Sequence, residues 1–74
     1  MKYYYLIETT DGERSSSYKK ICDSLEEAVE VVPNYNDWYC NKGCCTIVKV
    51  DSNFKRCETY HYWRGELDRT QTWR

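Results

Sequence analysis

The sequence predicts an α+β domain: a small four-stranded antiparallel sheet, in the order strand, strand, helix, strand, strand, with its one helix packed on one face. Three observations predict it. "KYYYLIETT" (2–10) and "FKRCETYHYWRGEL" (54–67) are rich in aromatic and β-branched residues, the types that suit a pleated, half-buried surface. "DSLEEAVEVVP" (23–33) carries both a helix-start signal and helical apolar spacing. Turn dipeptides, Asp11-Gly12 and Ser52-Asn53, punctuate the remainder.

The first strand, Lys2 to Thr10, is apolar on both faces at its start and so belongs in the sheet interior. Asp11-Gly12 turns it into "RSSSYKKIC" (14–22), a Ser-rich return strand whose polarity marks an edge; a flexible loop is the alternative for this stretch. Ser24 and Glu27 complete a capping box, and Glu26 and Glu27 suit the positive end of the helix dipole. Leu25, Ala28, Val29 and Val32 fall at i, i+3, i+4 and i+7, one stripe that must lie on the sheet. Pro33 ends the regular helix or restarts it as a second turn, and "NYNDWYCNKG" follows as a long loop. "CCTIVKVD" (44–51) and the alternating run 54–67 then form a hairpin about Ser52-Asn53. The tail "DRTQTWR" shows no pattern beyond a lone Trp73.

Seventy-four residues make one domain, 1–74, with a single core. The net charge of -1 dictates no polyelectrolyte partner, although the acidic residues concentrate before residue 38 and the basic ones after it. No apolar run approaches a membrane span, and "MKYYYLIETT" turns polar too soon for a signal peptide. The expectation is a cytoplasmic protein whose thiols stay reduced; five cysteines, an odd number, also cannot close into a full set of internal disulfides.

"CNKGCC" (40–45) opens the pattern Cys40-x3-Cys44-x12-Cys57-x3-His61, which mimics zinc-finger spacing. An x3 pair shares one ion when it lies on a helix. On a strand Cys57 and His61 stand about 13 Å apart, at ~3.3 Å per residue. A two-residue turn at Ser52-Asn53 instead sets Cys44 opposite His61, with Cys40 arriving from the loop. Cys40, Cys44 and His61 are therefore the alternative metal set, lacking a fourth ligand. Buried free thiols and no cofactor are the expectation. A cysteine nucleophile served by His61 needs a thiolate, an oxyanion site and a cleft, for which so short a chain has little room, so no enzyme is expected.

Aromatic residues are abundant: eight Tyr, three Trp and one Phe. Tyr60 and Tyr62 share a strand face and are expected under the helix. Trp63, Arg64, Arg69, Trp73 and Arg74 remain as a contact surface of the residue types that dominate protein-interface hot spots. Rings and cations also suit single-stranded nucleic acid, an alternative that the neutral balance and acidic first half disfavour.

The layout "MKYYYLIET…DG…ICDSLEEAVE…IVKVDSNFK…YHYWRGEL", and "DSLEEA" (23–28) above all, resembles small proteins of bacteriophages and mobile elements of Gram-positive bacteria. Some of these inhibit host defences, anti-CRISPR proteins among them, and several act by binding an effector nuclease without chemistry of their own. The resemblance implies a protein partner, a host nuclease or CRISPR effector, met in the bacterial cytoplasm. The competing reading is a nucleic-acid-binding or zinc-assisted binding module.

Overall fold

A computed structural model describes residues 2–10, 15–38 and 42–73. Strands β1 (Tyr4–Thr10) and β2 (Ser16–Cys22) are followed by helix α1 (Leu25–Val31), a 3-10 turn (Val32–Asn34), and strands β3 (Cys45–Val50), β4 (Arg56–Trp63) and β5 (Glu66–Thr72). All strand pairs are antiparallel, in the spatial order β2-β1-β3-β4-β5. β1 is interior and β2 is an edge, as the composition of each predicts. The Asp11-Gly12 turn between them lies outside the described residues.

Among the described residues the sheet has five strands, not four. The run expected to continue to residue 67 breaks at Arg64-Gly65, where both residues take positive φ, +54° and +86°. A two-residue turn of this kind matches the right-handed twist of a hairpin, and it sends the tail back along β4 as a fifth strand. β5 is exposed along its whole length, so no alternation of apolar and polar residues announced it.

The β3–β4 register also differs from the expected one. Asp51 does not face Phe54: its N–H donates to Lys55 O at 3.1 Å, and its carboxylate accepts from the N–H groups of Asn53 and Lys55 at 2.8 and 3.0 Å. Phe54 adopts φ +60° to close this longer loop, and a bulge follows between Lys49 and Val50. His61 is thereby paired with Thr46 rather than Cys44.

Helix α1 begins as its capping box dictates. Ser24 Oγ accepts from Glu27 N at 3.2 Å, and Glu27 Oε2 accepts from Asp23 N at 3.3 Å. Ala28 and Val32 are buried, Leu25 and Val31 pack beside them, and Val29 is 40% exposed. The expected stripe was therefore displaced on one flank. Successive residues step ~100° around a helix, so Val29 turns away from Ala28 while Val31 lies on the other flank of the same stripe.

The helix lies over β1 and β2. Beneath it Ile7, Cys22, Cys45 and Ile47 form the main core, flanked by Tyr5, Tyr35, Tyr60 and Tyr62. On the opposite face a smaller cluster of Leu6, Val48 and Val50 is flanked by Tyr4. No helix among the described residues is long and apolar enough to cross a membrane.

Candidate interaction surface

Alternation along the strands divides the side chains between two faces. Tyr60 and Tyr62 join the helix-side core, and Tyr60 donates its hydroxyl to Glu58 Oε2 at 2.6 Å. Burial and that carboxylate push the Tyr60 phenol well above its ordinary range. The other face has no helix or strand over it among the described residues. It presents Tyr18 and Ile21 of β2, Tyr4 of β1, Thr46 of β3, Thr59, His61 and Trp63 of β4, and Arg69 and Gln71 of β5.

Arg56 ties this face together. Its Nη2 donates to Glu8 Oε2 at 2.9 Å and to the Tyr18 hydroxyl at 3.4 Å, and its guanidinium lies 5.7 Å from the Trp73 ring. The Trp73 indole N–H donates to Thr59 Oγ1 at 3.2 Å. Thr59 can then turn its own hydroxyl proton toward His61 Nε2, 3.4 Å away, which leaves Nδ1–H to donate to Thr46 Oγ1 at 3.2 Å. Burial, and then the Arg69 guanidinium, hold the His61 pKa below its ordinary value. The imidazole is thus a neutral link in a fixed network. Phe54 stacks on Tyr4 with ring centroids 5.9 Å apart, adding two more rings to one end of the face.

The expected contact residues do not form one cluster. Trp63 is 44% exposed at one end of β4, with the Arg64 guanidinium 5.6 Å from its ring. Trp73, 42% exposed, bonds through its backbone N–H to Cys57 O at 2.9 Å, near the start of β4. Six residues of strand, roughly 20 Å, separate the two ends. Arg69 lies between them, opposite His61. Arg74 lies outside the described residues. Trp38, 70% exposed and overlooked in the sequence because it sits in a loop, is anchored at the Trp63 end through its N–H to Thr10 O at 3.0 Å.

An open cleft of about 350 Å³ occupies that end, between Glu8, Asp37, His61, Trp63, Asp68 and Arg69. Behind it, the loop bearing Gly43 and Cys44 is tied to the β4–β5 turn. Gly65 N–H donates to Gly43 O at 2.8 Å, and Arg64 N–H approaches Cys44 Sγ at 3.3 Å.

Cys44 is disulfide-bonded and cannot offer a thiolate, both ring nitrogens of His61 face threonine hydroxyls, and Cys40 lies outside the described residues. Among the described residues no three His, Cys, Asp or Glu side chains converge. The expectation of reduced thiols fails at Cys44. A bonded sulfur has no proton to donate, so its 3.8 Å approach to Lys42 O is a contact and not a hydrogen bond. Cys22, Cys45 and Cys57 are free. Burial, with Asp37 beside it, pushes the Cys45 thiol up to about 11, and burial raises Cys22 as well, so neither is a nucleophile at neutral pH.

No family model, curated protein or solved structure matches the chain.

Proposed function

We propose that the chain is a non-enzymatic protein-binding module that meets its partner through the sheet face opposite the helix, and that the partner is a host defence nuclease of the CRISPR-effector kind. The observation that carries the reading is the one-sided helix. The uncovered face leaves Tyr18, Ile21, Phe54, Trp63 and Trp73 each at least two-fifths exposed on one side of the molecule, more apolar surface than their contacts within the chain cover. Its length, roughly 20 Å between the two tryptophans, suits a standard protein interface. Arg56, a cation on this face, is already matched by Glu8 rather than held ready for phosphate. The nuclease as partner rests on the resemblance carried by "DSLEEA" and the strand layout around it, and it places the encounter in the bacterial cytoplasm.

The test is affinity capture with immobilised full-length chain from a bacterial lysate that carries nuclease-based defence, after digestion of all nucleic acid. A nuclease subunit retained through moderate salt is the expected result. Capture that disappears with the digestion, or that collapses steeply with salt, would establish phosphate-driven nucleic-acid binding instead.

A further inference from the structure

Among the described residues β5 is a free sheet edge, and its backbone direction can be read from a single hydrogen bond. Trp73 N–H donates to Cys57 O, which marks 57 and 73 as a bonded pair of the antiparallel ladder. Bonded and non-bonded pairs alternate, so Gln71 and Arg69 bond to Thr59 and His61, while Thr70 and Thr72 turn their N–H and C=O groups outward. The stretch Arg69–Thr72 is regular, exposed, and free of Lys and Pro. Both edges carry a bulge, β5 opposite His61/Tyr62 and β2 opposite Ile7/Glu8, but β2 adds Lys19 and Lys20 at its bulge, a further device that blunts an edge, whereas Arg69–Thr72 lies clear of the β5 bulge.

We propose that the β5 edge takes an added strand, an extended segment of the partner protein that pairs with Thr70 and Thr72. This rests on the protein-binding reading and names how the partner is held. Such a strand continues the uncovered face. Its residues opposite Arg69 and Gln71 fall on the same side as Trp63 and Trp73. Arg69, exposed on β5 at the rim of the cleft, favours a carboxylate opposite it on the outer side, and Leu67 on the other face favours an apolar neighbour. The segment is therefore a β-former run with an acidic residue on the side that faces Arg69.

The probe is a display library of random seven-residue peptides selected on the folded full-length chain. The selected peptides should alternate β-formers with an acidic residue and shift the amide resonances of Thr70 and Thr72. Thr70→Pro removes an outward N–H without touching the β4 ladder, so it should stay folded and weaken binding roughly fivefold or more. Arg69→Glu should weaken acidic peptides while its amide spectrum keeps the dispersion of the folded chain, which keeps the test decisive if the proline variant fails to fold. Peptides that shift Tyr18, Ile21 or Trp38 instead, peptides indifferent to both variants, or an unenriched library would overturn the proposal. So would light scattering that shows a dimer which Arg69→Glu or Thr70→Pro dissociates, since the edge would then serve a second copy. If a captured partner is lost on mutation of Tyr18 and Ile21 but kept by Thr70→Pro and Arg69→Glu, the edge proposal falls while the protein-binding reading stands.

Discussion

Gly43 packs directly against Gly65: a Cβ added to Gly43 would lie 2.8 Å from Gly65 Cα and 2.9 Å from Arg64 C, both backbone atoms. Gly43 also holds φ +75°. Gly65, at φ +86°, faces open space. Two glycines thus have different reasons to be glycine. Gly43→Ala should cost at least about 2 kcal/mol, from strain and backbone displacement together, whereas Gly65→Ala should cost about 1 kcal/mol from strain alone. Equal losses in denaturant melts would mean that the cysteine loop is not seated on the β4–β5 turn.

The helix offers a paired test of its orientation. Val32→Ala empties a filled core position and should cost roughly 1.5–3 kcal/mol, whereas Val29→Ala, on the flank that faces solvent, should stay within about 0.5 kcal/mol. Chemical denaturation of both variants checks this, and a reversal of the order would rotate the helix away from the arrangement seen here.

His61 gives stability a defined pH dependence. Its pKa in the folded chain is lowered from the ordinary 6.5, so the unfolded chain binds the proton more readily. The stabilisation from keeping the imidazole neutral is complete above about pH 6.5 and is lost as pH falls through the lowered value. Between about pH 7.5 and pH 5.5 the wild type should lose more stability than His61→Asn, measured by urea midpoints in matched buffers. Parallel curves would show that the ring is not held neutral between Thr46 and Thr59.

Thiol labelling should separate the cysteines by state and by burial. In the native chain Cys57, half-buried, reacts first, while Cys22 and Cys45 are protected by the core. Unfolding without reductant should expose those two and still leave Cys44 unlabelled until a dithiol is added. Immediate labelling of Cys44 in the unfolded, unreduced chain would contradict the disulfide.

What the sequence made legible was local. The helix start needs only Ser24 and Glu27, three residues apart, and β1 announces its interior place by being apolar on both sides. The missed features depend on partners distant in the chain or on backbone conformation that composition does not encode. Arg64-Gly65 lacks the Asn or Asp that usually signals such a turn, so β5 stayed hidden within an expected longer β4. Phe54 in a left-handed conformation shifted the hairpin register, which set His61 opposite Thr46 instead of Cys44. Arg56 meets Glu8 across 48 residues of chain, so the centre of the uncovered face had no sequence signal at all. Trp63, Arg64, Arg69 and Trp73 were singled out by residue type alone, and the fold spreads them along one hairpin instead of gathering them.

The uncovered sheet face as the binding surface is tested most directly by titrating a partner isolated by capture against four folded chains in a calorimeter: wild type, Trp63→Ala, a Tyr18→Ala/Ile21→Ala double variant, and Val29→Ala. Trp63 and the Tyr18/Ile21 pair lie on that face, whereas Val29 lies on the outer side of the helix. Hot-spot truncations cost about 2 kcal/mol, so the first two variants should each bind roughly thirtyfold more weakly, with Val29→Ala unchanged. Full affinity in both face variants, or a comparable loss in Val29→Ala, would contradict the account.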